Sequence, residues 1–435
     1  MDLAEVRLWG RRIGAVSQPA DVAYATFQYD PRFIGSGIEV APLTVPLARH
    51  PYAFPQLPRQ SFHGLPGLLA DSLPDYFGNA LIDAWLAREG RDPDDFRPIE
   101  RLCYIGTRGM GALEFRPSKG PQSTRARRLQ VDALVGLASQ ILTQRADLNV
   151  SIASGADEEV LAELLRVGTS AGGARAKALI AWNPNTNEVR SGQVDARSGF
   201  EYWILKFDGV TSTREERLSN PLGYGAIEYA YSLMARQAGI RMADCRVFEE
   251  HDRRHFMTRR FDRTADGNKL HMLSLGAMSH LDLNSAGAHG YEQALLTIRK
   301  LGLTTEAVEE QFRRMIFNVL ARNQDDHVKN IAFLMDKAGT WSLAPAFDVI
   351  FAYNPSGDWT ASHQMTINGK RDHFTLADFE AVAKGASMKR GRAAAIHEEV
   401  HAAVSRWSDF AEQAGVEERR SRGIWGALRL NLPRE

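Results

Sequence analysis

The sequence predicts a mixed α+β protein built from an N-terminal α/β unit, a sheet-bearing middle part and a mostly helical remainder. Three observations predict it. A breaker-rich, charged stretch separates residues 1–117 from the rest of the chain, two short apolar runs precede a helix in the middle, and long apolar periods of three and four fill the last part.

In the first part, Val6 to Leu8 and Ala23 to Tyr29 have strand-type runs, with turn signals at Gly10 and Gly14. Leu81, Ile82, Ala84, Trp85 and Leu86 fit a helical face, and Ser72-Leu73-Pro74-Asp75 supplies its start signal. Residues 118–129, with Pro121, Gly120 and three arginines, predict a linker. From Val131 the residues Leu134, Val135, Ala138, Ile141 and Leu142 mark an amphipathic helix. A Gly-rich turn at 168–173 comes next, then strands at 178–182 and 202–205 and a helix over 226–237. Loop, strand, strand and helix in that order are the layout of a nucleotide-binding lobe, assigned to 130–262. Helices over 291–301 and 308–321, with a β-like insert at 331–334, dominate the last part, 263–435.

Composition bounds the function classes. The chain has 435 residues, 44% of them hydrophobic, so it can bury a large core. Lys and Arg number 53 and so do Asp and Glu, which excludes a surface that is one electrostatic trap for nucleic acid. The two cysteines, Cys103 and Cys245, offer neither a disulfide framework nor a metal knuckle. No basic-then-apolar leader pattern opens the sequence and no eighteen apolar residues run together, so a cytoplasmic protein without membrane contact is expected.

The densest polar constellation is Asn323-Gln324-Asp325-Asp326-His327-Val328-Lys329-Asn330, with Asp348 eighteen residues beyond Asn330. Phosphoryl transfer needs a carboxylate to take the acceptor's proton and oxygen ligands to hold magnesium on the phosphates. Asp325, Asn330 and Asp348 supply that set, with the Asp-to-Asn interval of a kinase catalytic loop. Ordinary surface-turn composition accounts equally well for the octad taken alone. Upstream, Gly168, Gly172 and Gly173 allow backbone to approach phosphates, although Ala174 stands where a Walker A loop requires Lys. Lys206 closes the apolar run Trp203-Ile204-Leu205, and Glu228 on the next helix is placed to pair with it. His251 and His255 are four apart, but Asp252 and the flanking Arg253 and Arg254 argue for a solvated hairpin rather than a zinc site. Arg259, Arg260 and Arg263 are read as surface or salt-bridge residues.

These residues resemble the HipA-type serine/threonine kinases of bacterial toxin–antitoxin systems. The matching stretches are Ser72-Leu73-Pro74-Asp75 with Gly78-Asn79, Tyr104-Ile105-Gly106, and Gly109-Met110-Gly111-Ala112-Leu113. Further along they are Gly172 to Lys177, Ile204-Leu205-Lys206-Phe207, Glu228, Arg260-Phe261-Asp262-Arg263, Asp325 to Asn330, and Leu343 to Val349. The resemblance implies a two-lobed, protein-kinase-like fold related to the phosphoinositide kinases, with an extra N-terminal subdomain, and it implies ATP and Mg2+. Asp325 would then be the catalytic base, and Asn330 and Asp348 the metal ligands. Lys206, paired with Glu228, would bind phosphate, and Ala171, Gly172, Gly173, Ala174, Arg175, Ala176 and Lys177 would form the phosphate loop. His327 and Lys329 would lie beside the nucleotide, and Arg259, Arg260 and Phe261 at the adenine hinge, contacting it through backbone groups. Ser170 would be the autophosphorylated off-switch, with Thr169 beside it as competitor. Arg175-Ala176 in place of Gln-Glu, and Arg259 where some members carry an acid, depart from the pattern. A HipB-like helix-turn-helix antitoxin, DNA reached only through that partner, and an aminoacyl-tRNA synthetase as substrate, chiefly a glutamyl-tRNA synthetase, complete the expectation. Its rivals are a pseudokinase co-repressor and a phosphohydrolase or nuclease using Asp325, Asp326, His327 and Asp348 as a two-metal cluster.

Overall fold

The computed structural model describes residues 2–120, 128–144, 155–168, 175–193, 199–210, 222–264 and 266–435. Three antiparallel sheets organise them. The first joins β1 (Leu3–Leu8), β2 (Arg11–Ser17), β3 (Thr26–Tyr29), β4 (Tyr52–Ala53) and β5 (Leu113–Arg116) in the order β4-β3-β2-β1-β5. In β1 the even-numbered Ala4, Val6 and Leu8 are buried and the alternation gives the sheet one apolar face.

The second sheet joins β6 (Lys177–Asn183), β7 (Glu188–Ser191), β8 (Glu201–Lys206), β9 (Cys245–Glu250) and β10 (Arg253–Arg259) in the order β7-β6-β8-β10-β9. The third, β11 (His271–Ser274), β12 (Ala332–Met335) and β13 (Trp341–Leu343), sits among the helices of the last part.

Helix Tyr76–Arg88 begins where the start signal falls, because Asp75 at its N-cap accepts the Gly78 N–H at 2.6 Å. The middle helix is Tyr224–Gln237, and the C-terminal helices include Tyr291–Lys300, Thr305–Leu320, Arg392–Val404 and Trp407–Gln413. A helix over Gly155–Gly168 leads up to the glycine turn.

Two cores cut across the order of the chain. Val6, Phe27 and Phe115 of the first sheet share one with Tyr231 and Met234 of the middle helix and with Phe312, Phe317 and Trp407. Phe77 and Leu81 instead join Leu134, Ala138, Leu164, Ile180, Trp203 and Leu205 in the other. The apolar interior of residues 1–117 is therefore continuous with that of the rest of the chain. Their sheet rests on the helical part and their helix on the second sheet. Of the expected linker, 121–127 lie outside the described residues, and its last residue is not a tether: Leu129 is buried and donates its N–H to Val189 at 2.8 Å.

Candidate active site

Lys206 ends β8 with its side chain 12% exposed, and its ammonium is bonded to both Glu228 and Asp348. Burial opposes the charge, yet the Asp348 and Glu228 carboxylates outweigh it and hold the ammonium's pKa above the ordinary lysine value. Glu228 is placed by the way its helix is clamped. Asp208, two residues past Lys206, accepts the N–H of Gly223 at 3.0 Å and that of Gly225 at 3.4 Å, while its own N–H donates to His255 Nδ1 at 2.9 Å. A Cβ on Gly225 would stand 1.9 Å from the Arg254 carbonyl oxygen, so only glycine lets this helix lie so close to β10.

A second lysine enters from the neighbouring strand. Lys177 opens β6, directly opposite Lys206 in the antiparallel register. Its side chain is 3% exposed and lies 3.5 Å from Asp75 Oδ2, so the N-cap of helix Tyr76–Arg88 also partners the strand after the glycine turn. Burial raises the Asp75 carboxyl to about 6 despite the opposing pull of Lys177, the Gly78 N–H and Lys329.

The polar octad forms the loop after helix Thr305–Leu320. Asp325 is half-buried, with a side chain 42% accessible, and its Oδ1 accepts the Trp359 indole N–H at 2.6 Å. His327 Nε2 lies 3.8 Å from the same oxygen. Asn330 closes the loop by donating Nδ2–H to the Asp325 carbonyl at 2.8 Å, which leaves its Oδ1 as an acceptor. Asp348 sits at φ 52°, a left-handed conformation that Asp tolerates better than most residues and that functional sites often hold. Burial raises its carboxyl, but Lys206, Lys177 and His327 prevail and bring it down to about 2, so it stands ionised.

Asp326 points the other way. Its Oδ2 takes the Tyr291 hydroxyl at 2.8 Å and His363 Nδ1 at 2.7 Å, and its Oδ1 the Gln364 N–H at 2.8 Å. The two-metal cluster is thereby corrected, since Asp326 is 3% exposed and its oxygens are engaged in a buried network. Among the described residues no three His, Cys, Asp or Glu side chains converge as metal ligands. Asn330 and Asp348 instead offer two oxygen donors beside a lysine, a set that suits a magnesium ion completed by phosphate and water oxygens.

The glycine turn is only partly visible. Ser170, Thr169, Ala171, Gly172, Gly173 and Ala174 lie outside the described residues. Arg175 lies over the Tyr224 ring at 4.5 Å, and the buried Ala176 accepts the Phe207 N–H at 3.0 Å. In the stretch expected to border adenine, Arg259 donates its N–H to Asp244 at 2.7 Å and Arg260 its N–H to Tyr202 at 3.0 Å. Both amides are therefore engaged within the protein. Phe261 stacks on Phe347, next to Asp348, at 5.3 Å.

Of the expectations for the arginines and for His255, the structure meets one and overturns the other. Arg260 takes the salt-bridge alternative of its expectation, being 3% exposed and donating twice to the fully buried Asp262, at 2.9 and 2.8 Å. Asp262 also accepts the Gly111 N–H at 2.8 Å, which ties the Gly109 to Leu113 motif of the first part to the Arg260–Arg263 stretch. His255 does not lie in a solvated hairpin. The hairpin β9–β10 exists, but His255 is fully buried and burial lowers its pKa to about 4.

Sequence reasoning missed Asp75 as a site residue, together with Asp208, Tyr291, Trp359 and His363. Asp75 carried a signal, since it stands in a motif already singled out. The others act through contacts tens of residues away and have no spacing of their own.

A strand lysine bonded to a helix glutamate and to Asp348 belongs to a two-lobed, kinase-like α+β protein. Residues 4–116 match the HipA N-terminal domain and residues 169–407 the HipA-like C-terminal domain, so the chain belongs to the HipA family. Among solved structures it resembles the HipA, HipB and operator DNA complex of the Shewanella oneidensis MR-1 toxin–antitoxin system. The TM-score is 0.66 at 16% identity, over 97% of this chain and 94% of that one. The proinflammatory kinase CtkA of Helicobacter pylori aligns with a TM-score of 0.30 at 12% identity, over 52% of this chain and 92% of that one. Among the described residues no helix is long and apolar enough to cross a membrane.

Proposed function

We propose that the chain is an ATP- and Mg2+-dependent protein serine/threonine kinase, the toxin of a toxin–antitoxin system, acting in the cytoplasm. The single observation that carries the reading is the joint engagement of Lys206 by Glu228 and Asp348, with His327 of the Asp325–Asn330 loop close enough to help lower the Asp348 carboxyl. Lys206, oriented by Glu228, would bind the ATP phosphates. Asn330 and Asp348 would hold magnesium, which when bound neutralises charge on the phosphates. Asp325 would accept the proton of the acceptor hydroxyl as its oxygen bonds to the γ-phosphorus and ADP leaves.

Arg175, Ala176 and Lys177, with residues 171–174, would form the phosphate loop. His327 and Lys329 would border the nucleotide, and Arg259, Arg260 and Phe261 its adenine. Phosphorylation of Ser170, or of Thr169 next to it, would place nearly two negative charges beside the ATP phosphates and switch the kinase off. The structurally similar Shewanella protein is in complex with HipB and operator DNA, which supports a HipB-like helix-turn-helix antitoxin as partner and DNA contact through it. The zero formal net charge fits that division, because the basic footprint would belong to the partner. An aminoacyl-tRNA synthetase of the glutamyl type is the proposed substrate.

The test is incubation of the purified protein with labelled ATP and Mg2+, alone and with a cell extract, followed by mass spectrometric mapping. Label on Ser170 and on a synthetase serine is expected. Nucleotide binding without any transfer would favour the co-repressor reading.

A further inference from the structure

Three consecutive loop residues grip one downstream segment. Gln324 donates Nε2–H to the Thr360 carbonyl at 3.4 Å, Asp325 accepts the Trp359 indole N–H at 2.6 Å, and Asp326 holds His363 and Gln364. The grip continues inward. Tyr291, which donates to Asp326, accepts Asn318 Nδ2–H at 2.9 Å, and Asn318 in turn accepts Asn323 Nδ2–H at 3.0 Å. Gln364 reaches back to the Trp359 carbonyl, so the backbone that presents the indole is anchored as well. A segment tethered at so many points fixes the position of whatever it carries into the site.

What it carries is unusual for its place. Trp359 is 36% exposed, a large apolar ring left at the surface, yet its polar edge is turned onto the proposed catalytic base. The indole N–H is a donor only, so it can orient a carboxylate and cannot compete for a proton. It takes Oδ1, and no hydrogen bond to Oδ2 forms among the described residues. Asp325 is thus divided into one oxygen that is held and one that is open.

We propose that Trp359 is a positioning residue for phosphoryl transfer: its indole N–H fixes Oδ1 of Asp325 so that Oδ2 is presented to the acceptor hydroxyl. This role rests on the kinase reading. A base held by a charge-assisted hydrogen bond reaches the acceptor without first losing side-chain freedom, which is what positioning contributes to a rate. Trp359→Phe keeps the ring and deletes only the donor.

Two measurements on the full chain test it. Initial rates of label transfer from Mg2+-ATP are taken for wild type and Trp359→Phe, with a clarified bacterial extract as acceptor pool and ATP varied. Loss of a hydrogen bond to a charged group predicts that kcat falls roughly ten- to a hundredfold, with KM for ATP changed by less than about twofold. A merely structural role would move both or neither. In parallel, the protein is labelled with 15N at its indole nitrogens and the Trp359 resonance is identified by its loss in Trp359→Phe. That resonance is expected to move in Asp325→Asn, where the charged acceptor becomes neutral.

An unchanged rate in Trp359→Phe overturns the proposal, and a faster one does so by showing that the indole plugs the base. A resonance indifferent to Asp325→Asn overturns it from the structural side. Should wild type transfer no label while the resonance still responds, the contact stands and the kinase reading is what has failed, taking the proposed role with it.

Discussion

Lys177 and Lys206 stand directly opposite each other on β6 and β8, two buried ammonium groups at one rung of an antiparallel ladder. Like charges so placed repel, and taking either out of water is costly. Three carboxylates offset this, each from a different part of the chain: Asp75 from the first unit, Glu228 from the middle helix and Asp348 from the segment after β13. The charge balance of the site therefore assembles only when all parts have packed together.

Lys206→Met tests that balance through stability. It leaves Glu228 and Asp348 facing each other without their common cation, and breaking a buried pair in this way costs about 3–5 kcal/mol. Guanidinium unfolding should show a loss of that order together with loss of ATP affinity. A variant as stable as wild type would mean that the two carboxylates are paired elsewhere.

Asp75→Asn has a pH signature. Because the folded carboxyl sits at about 6, above its ordinary 3.8, the folded protein holds a proton that the unfolded chain releases between those values. Wild-type stability on this account falls as pH rises from 3.8 to 6, by up to about 3 kcal/mol at about 1.4 kcal/mol per unit. Relative to wild type, Asp75→Asn should gain stability over that window and level off above it. Parallel unfolding curves for the two proteins from pH 4 to 7 would contradict the assignment.

His255 and His271 predict the opposite slope. Both are fully buried, and burial lowers each to about 4 against an ordinary 6.5, with Asp208 and the Val40 carbonyl opposing only in part. Depressed histidines contribute stability that is complete above 6.5 and lost as pH falls toward 4, about 1.4 kcal/mol per unit for each. His255→Gln retains an acceptor for the Asp208 N–H and removes the titrating ring. Its stability relative to wild type should rise as pH falls from 6.5 to 4, and a flat difference curve would show that the ring does not titrate in that range.

Much of this arrangement was legible in the sequence. A lysine closing an apolar run, a glutamate on the following helix and the Asp325–Asn330–Asp348 intervals are local patterns; the structure joins Lys206 to Glu228 and Asp348, and Asn330 to the Asp325 carbonyl. What stayed hidden depends on long-range packing. Asp75 read as a helix cap, which it is, but its second task requires β6 to pass beside it. The run from Arg259 to Arg263 could be read as surface or as salt bridges, and its composition does not reveal that Asp262 lies buried between two guanidinium groups. His255 looked solvated for the same reason, since its flanking arginines are visible in the sequence and the sheet above it is not. The tethered segment that presents Trp359 has no periodicity or motif at all.

The most direct test of the central claim is the pair of measurements on Asp325→Asn: ATP affinity by titration calorimetry and label transfer from Mg2+-ATP. Removing the proton acceptor while keeping the side chain's shape should leave affinity within about twofold and reduce transfer by roughly a hundredfold or more. Near-normal turnover in Asp325→Asn would contradict the account, because a kinase of this geometry has its base at that position.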